Sequence, residues 1–200
     1  GVLAYKPTDT VSIDVEGSFS HTRASFAYTA LEPSLNPIRR AQLSQQTFRP
    51  QQVYSEFANS VETKDYAASA TINWDVSDDV QVRSISAYQA YRNQMNFDPD
   101  TSGFFGQTNI TTINSDTYTQ ELNLITSSFN DRLKSTFGMF YFNDKVFQHL
   151  DLFFGFNGPP TAPVFVSNNR LSTESLAFFT DQTLTVTDSL RLIAGTRYNS

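Results

Sequence analysis

Thr10 to His21 reads TVSIDVEGSFSH. Val11, Ile13, Val15, Phe19 and His21 fall on one side of an extended chain, and Thr10, Ser12, Asp14, Glu16, Ser18 and Ser20 fall on the other. A period of two marks a strand whose faces meet different surroundings. Strands in globular domains run ~5–6 residues, whereas a tilted strand needs ~9–11 residues to cross a bilayer. At twelve residues this stretch has the second format, so the remaining segments decide whether it is one stave of a membrane wall.

They repeat it. Val2 to Lys6 reads as the end of a strand, and Pro7-Thr8-Asp9 as a tight turn. Glu62 to Trp74 alternates, with Tyr66, Ala68, Ala70, Ile72 and Trp74 on one side, and ends in the polar turn Asp75 to Asp79. Val80 to Asn96 carries two apolar phases, Val80, Val82 and Tyr88 in one and Ile85, Ala87 and Tyr91 in the other; a mid-strand bulge is expected to reconcile them. Asp116 to Ser127 alternates cleanly before the turn Phe129 to Arg132. Leu133 to Phe147 is apolar on both sides in its second half, through Phe140 and Phe142. Ser172 to Thr185 and Leu190 to Tyr198 complete the set, joined by Val186 to Ser189.

Between these turns run long connections, Arg23 to Ser60, Phe97 to Ser115 and Gln148 to Arg170, rich in Pro, Gly, Asn and Thr. Connections therefore run short, long, short, long along the whole chain. A β-sandwich has no reason to obey that parity, whereas an antiparallel up-and-down transmembrane β-barrel puts short turns on the periplasmic side and long loops outside.

Composition agrees. Hydrophobic residues make up 39% and the mean hydropathy is -0.35, so no run approaches the ~20 apolar residues of a membrane helix. A barrel needs lipid-compatible side chains only at every second position. With Cys 0, disulfide scaffolds and thiolate metal sites are excluded. A net charge of -6, with Arg39-Arg40 as the only adjacent basic pair, argues against nucleic acid as a partner. Gly1 opens into VLAYKP without the features of a signal peptide, so the expectation is a cytoplasmic chain or one whose beginning lies upstream.

Several segments in order, WDVSDDVQVRSISAYQAYR, YTQELNLITS, LKSTFGMFYF and TESLAFFTDQTLTVTDSLRLIAGTRY, resemble the TonB-dependent outer-membrane receptors over most of Thr63 to Tyr198, and the KPTDTVSIDVEGSFS hairpin fits the same pattern. The resemblance implies a 22-stranded barrel filled by an N-terminal plug domain, importing a scarce nutrient such as a siderophore-type iron complex across the outer membrane of a Gram-negative bacterium. The resemblance implies that the energy comes from a TonB protein. About eight strands are present, without a plug or a TonB-contacting box, and Tyr198-Asn199-Ser200 lacks the terminal aromatic on which resembling barrels end. The expectation is a barrel-domain fragment over residues 1–200, with the plug and the TonB contact in the region that precedes it.

On that reading Val11, Ile13, Val15, Ile72, Leu122, Leu124, Phe137, Leu176 and Leu192 meet the lipid bilayer, while Asp14, Glu16, Arg83, Glu121, Lys134, Arg191 and Arg197 face the lumen or plug. Tyr5, Tyr66, Trp74, Tyr88, Tyr141 and Tyr198 are expected in interfacial girdles. Phe104, Phe105, Phe153, Phe154 and Phe156 place large apolar groups in long connections, where exposed aromatic patches mark binding surfaces or pack on neighbouring loops.

Other chemistry is thin. Asp98 to Gly103 imitates the first half of a calcium loop, but Asn109 stands where the bidentate Glu belongs, so an acidic loop is the simpler reading. His21 and His149 lack a third ligand and are read as interfacial and loop-edge residues, and Asp78-Asp79 as turn formers. Neither a nucleophile elbow nor a phosphate-cradling glycine loop is present; no enzyme and no cofactor are expected. Two alternatives stay open: a complete small barrel acting as an adhesin or structural protein, and a soluble extracellular β-sandwich binding module.

Overall fold

The computed structural model describes residues 1–26, 41, 58–99, 106–155 and 161–200. Eight strands form one antiparallel sheet in chain order: β1 (Val2–Thr8), β2 (Val11–Ser25), β3 (Ser60–Ser77), β4 (Val80–Phe97), β5 (Gln107–Ser128), β6 (Leu133–Phe154), β7 (Phe165–Thr187) and β8 (Leu190–Asn199). Each strand pairs with its chain neighbours, leaving β1 and β8 as the edges of an open wall.

Three of the short turns share one design. Thr8 pairs with Val11, Ser77 with Val80 and Thr187 with Leu190, and in each the register shifts just before the turn. The sequence at each is hydroxyl, Asp, polar, apolar: Thr8-Asp9-Thr10-Val11, Ser77-Asp78-Asp79-Val80 and Thr187-Asp188-Ser189-Leu190. Ser, Thr and Asp bond the local backbone and favour tight turns. Pro7, without an N–H, sits within the first of these irregularities on an edge strand, where a ladder tolerates it. The turn between β5 and β6 is different: Phe129, Asn130 and Asp131 have φ of 57°, 54° and 64°. Asn and Asp enter this left-handed region readily and Phe does not; Ser127 Oγ bonds Asp131 Oδ1 at 2.6 Å across the turn.

Two sequence expectations are corrected. β4 pairs with β5 from Val80 to Phe97 without a register shift, so the mid-strand bulge does not exist. Its two apolar phases are its two faces. The long connections are also shorter than read: Gln107 to Ser115 belongs to β5, Gln148 to Phe154 to β6 and Phe165 to Arg170 to β7. The apolar period of the exposed face fades there, through Thr108, Thr112 and Asn114 on β5 and His149 and Asp151 on β6, but the ladder hydrogen bonds continue.

Direct cross-strand partners share a face, so the register assigns every side chain to one side or the other. Along β3, Tyr66, Ala68, Ile72 and Trp74 are exposed, whereas Asp65, Ala67, Ser69, Thr71 and Asn73 are half-buried. The exposed side carries an apolar band: Ile13 opposes Ile72, Leu124 opposes Phe137, and Leu184 opposes Leu192.

One border of this band is aromatic and slanted. Phe19–Tyr66 on β2 and β3, Tyr88–Tyr118 on β4 and β5, Tyr141 on β6 and Phe178–Tyr198 on β7 and β8 each lie one row lower than the last. The border thus drops three rows, or six residues, over the six strand steps from β2 to β8. With ~3.3 Å per residue and ~4.8 Å between strands, a level border requires the strands to tilt by about 35°, at the lower end of the ~35–45° of membrane barrels. On β3 the band runs from Tyr66 to Trp74, eight residue steps, about 26 Å along the strand and roughly 22 Å along the normal at that tilt.

The two glutamines within the band are bonded to their neighbours. Gln120 Oε1 accepts from Ser86 Oγ at 2.5 Å and Tyr118 Oη at 3.1 Å, and its Nε2 donates to Ser84 Oγ at 3.0 Å and the Glu121 carbonyl at 3.1 Å. Gln182 repeats the arrangement: it accepts from Ser135 Oγ and donates to Thr180 Oγ1 at 2.7 Å. Deleting one partner of such a pair costs about 1–3 kcal/mol, whereas replacing all of it with apolar groups is close to neutral. Ser86→Ala is therefore expected to lower unfolding stability in vesicles by about 1 kcal/mol, and the combined Ser84→Ala, Ser86→Ala, Gln120→Leu change to restore it; a triple variant weaker than the single would refute a self-satisfied network.

Candidate functional site: the sheltered face and the outer rim

The sheltered face is a hydrogen-bonded polar lattice. Arg83 Nε donates to Asn73 Oδ1 at 2.7 Å, Gln89 Nε2 to Asp65 Oδ2 at 2.9 Å and Asn123 Nδ2 to Glu121 Oε1 at 2.6 Å. Asp144 Oδ1 gathers both Ser115 Oγ at 2.9 Å and Thr117 Oγ1 at 2.8 Å. Asp14, Glu16, Arg83, Glu121, Lys134, Arg191 and Arg197 all lie on this face. Among the described residues no ion pair joins them to one another. The residues expected at lipid and in the girdles, from Val11 and Tyr5 to Leu192 and Tyr198, all lie on the opposite face.

One apolar island interrupts the lattice. Phe140, Phe142 and Phe179 share the sheltered face, which accounts for the doubly apolar half of β6. Arg197 stacks its guanidinium 5.4 Å from the Phe140 ring centre and 5.8 Å from that of Phe179. Gly138, directly opposite Phe179, makes room for it: a Cβ there would stand 2.0 Å from the tip of the Phe179 ring.

Beyond the aromatic border, on the exposed face, charges take over. Glu62 accepts from His21 Nε2 at 3.0 Å, Arg23 Nη2 at 2.8 Å and Lys64 Nζ at 3.1 Å. These donors, Arg23 first and then Lys64, hold its carboxyl at about 2. One strand over, Arg92 Nη2 bonds Asp116 at 2.6 Å, and Tyr88 Oη donates to the same oxygen at 2.5 Å. On β6, His149 is bracketed by Asn168 Oδ1 at 2.8 Å and Asp151 Oδ2 at 3.0 Å. It is a strand residue and not the loop-edge residue expected. The cluster around Glu62 was missed in the sequence, although its signal existed: His21/Arg23 and Glu62/Lys64 carry the period of two onward in charged residues.

Phe153 and Phe154 are also strand residues, on β6, and they point to different places. Phe153 shares the exposed face and Phe154 the sheltered one. Phe104, Phe105 and Phe156 lie outside the described residues. Of the calcium-like loop, Asp98 is buried with its N–H donating to Asn59 Oδ1 at 2.6 Å, and Asp100 to Gly103 lie outside the described residues.

A wall with an apolar exposed face, a slanted aromatic border and a polar sheltered face has the anatomy of an outer-membrane barrel segment, and residues 4–200 match the family described as TonB dependent receptor-like, beta-barrel. The chain belongs to that family. No curated protein sequence matches it. Among solved structures, the receptor segment is similar to the ferric yersiniabactin uptake receptor FyuA from Yersinia pestis, at 19% identity over 99% of this chain and 28% of that one, with a TM-score of 0.71. The ferric citrate transporter FecA, unliganded, matches at 11% identity, 98% and 28% coverage and a TM-score of 0.65. The ferric-catecholate import receptor Fiu from E. coli K12 matches at 12% identity, 99% and 33% coverage and a TM-score of 0.62. At these identities the likeness is one of fold, and the receptor segment spans about a third or less of the length of those chains.

Proposed function

We propose that this chain is part of the barrel wall of an outer-membrane active transporter of a Gram-negative bacterium, which binds a scarce nutrient of the siderophore-iron type outside and imports it with TonB-transduced energy. The observation that carries this reading is the division of the sheet into an apolar face with a slanted aromatic border and a polar face opposite. In the proposed barrel the lumen is lined by Asp14, Glu16, Arg83, Glu121, Lys134, Arg191 and Arg197, and the plug packs against that side. The plug and the TonB-contacting segment belong to other parts of the same protein. The role is binding and passage; no catalytic step and no cofactor enter.

The decisive experiment measures uptake of a panel of radiolabelled ferric siderophores by cells with and without the gene, each with and without a protonophore. Energy-dependent uptake of one member, lost with the gene, is the expected result; no difference for any iron complex ends the siderophore reading. Phe154 is the aromatic best placed to meet that ligand, because it shares the face of the proposed lumen near the outer end of β6. Phe154→Ser is expected to weaken uptake several-fold at normal surface level, and Phe153→Ser, on the opposite face, to weaken it less. Equal effects of the two would remove the facial distinction.

A further inference from the structure

Positive charge is unevenly spread on this acidic chain. On the membrane-facing side, the two rows next beyond Phe19–Tyr66 carry His21, Lys64 and Arg92, then Arg23 and Glu62. Among the described residues Glu62 is the one carboxylate that pairs with Arg23, Lys64 and His21, so these pairs leave the cluster with a surplus of positive charge. The cations are also the outer members: side-chain exposure is 68% for Arg23 and 42% for Lys64 but 30% for Glu62. A guanidinium and an ammonium each carry several N–H donors, and the bonds to Glu62 use one nitrogen position of Arg23 and one bond of Lys64. Beside them opens a recess of about 180 Å³ whose walls include Lys64, Arg92, Gln94, Thr112 and Asn114, with Glu62 at its edge, polar groups throughout.

Position decides what such a surplus meets. Aromatic girdles sit at the headgroup level of a bilayer, and Phe19 and Tyr66 pack here with tilted rings, centres 4.8 Å apart. Lys64 and His21 lie two residues further along their strands, at the end of the sheet that carries the long connections. Basic groups at that depth attract anionic headgroups, and arginine matches the oxygens of a phosphate through paired N–H bonds. We propose that the Arg23–Lys64–His21 cluster, held in shape by Glu62, is a docking site for a phosphate group of an anionic outer-leaflet lipid. Glu62 keeps the cations from splaying apart in the phosphate's absence. The site rests on the outer-membrane reading above and is separate from any nutrient site, because it lies on the opposite face of the wall.

The test uses the intact receptor that contains this chain, purified in detergent from outer-membrane fractions, with diphosphorylated lipid A, the same lipid with its phosphates removed, and inorganic phosphate as probes in native mass spectrometry. The wild type should retain the phosphorylated lipid, lose most binding when the phosphates are removed, and release the lipid little in millimolar inorganic phosphate. Arg23→Gln with Lys64→Gln should weaken lipid binding about thirtyfold, from roughly fivefold per basic group near an anionic surface. Arg23→Lys with Lys64→Arg should restore most of it. Equal binding of the dephosphorylated lipid, or no loss in the neutralised variant, would overturn the proposal. Full displacement by inorganic phosphate would reassign the cluster as a free-anion site. Absence of the protein from the outer-membrane fraction would overturn the outer-membrane reading together with this one, whereas correct fractionation with unchanged lipid binding would overturn this one alone.

Discussion

Leu122→Arg is expected to lose about 2–4 kcal/mol of unfolding stability in vesicles, the cost of a basic side chain near the middle of a barrel's lipid face. Leu122 lies on the exposed face between Ser84 and Met139, four residues from the aromatic border at Tyr118 and well short of the turn at Phe129. Its long neighbours are apolar, and the polar ones, Ser84 and Gln120, already bond each other, so an arginine there finds no partner. Thr119→Arg is the matched control. Thr119 lies three residues away on the sheltered face, where it lines a recess of about 410 Å³ with Ala67, Ser69 and Ala87. An added arginine has room there, with Glu16, Gln89 and Thr117 lining the same recess, and the expected change is within about 0.5 kcal/mol. Urea unfolding of the receptor reconstituted in vesicles measures both. Equal losses would mean that the exposed face does not meet lipid.

Gly138→Val is the second large effect. The added Cβ would overlap the Phe179 ring, and overpacking of this kind costs about 1–3 kcal/mol even when neighbours yield. Phe179 can swing away only by giving up its place beneath Arg197, so the strain passes on to the Phe140–Arg197 stack. Shortening the partner should relieve it: Gly138→Val with Phe179→Ala is expected to be more stable than Gly138→Val alone, although each single change is destabilising. A double variant as weak as the sum of the singles would show that the ring does not occupy the glycine's space.

Much of this wall was legible because a strand keeps strict parity. Once Ile13 and Val15 are placed on one side, the odd and even positions of every later strand follow from the hairpin registers, and the apolar positions from Val11 to Leu192 all land together. Failures came where parity has no hydrophobic contrast to display. Gln107 to Ser115 has only Ile110 and Ile113 among polar residues, one on each face, so β5 could not be told from a loop beyond the bilayer's edge. Val80 to Phe97 has the opposite problem, with apolar groups on both sides, and a bulge was inferred to remove a conflict that two faces explain. The charge cluster at Glu62 depends on pairing His21 with Lys64 and Arg23 with Glu62 across a connection of more than thirty residues; nothing local fixes that register. The Phe140–Phe179–Arg197 island is of the same kind.

The slanted aromatic border also constrains strands that flank this segment. Because it descends one row for every two strands, each additional strand inherits a fixed address for its own border residue. In the proposed barrel, a strand paired with β8 would carry its aromatic level with Thr196, one row beneath Tyr198, to keep the hydrophobic belt unbroken as the wall curves round. Barrel closure is thus partly written as a vernier: neighbouring staves may differ freely in sequence, but not in where along their length the ring that marks the water's edge is placed.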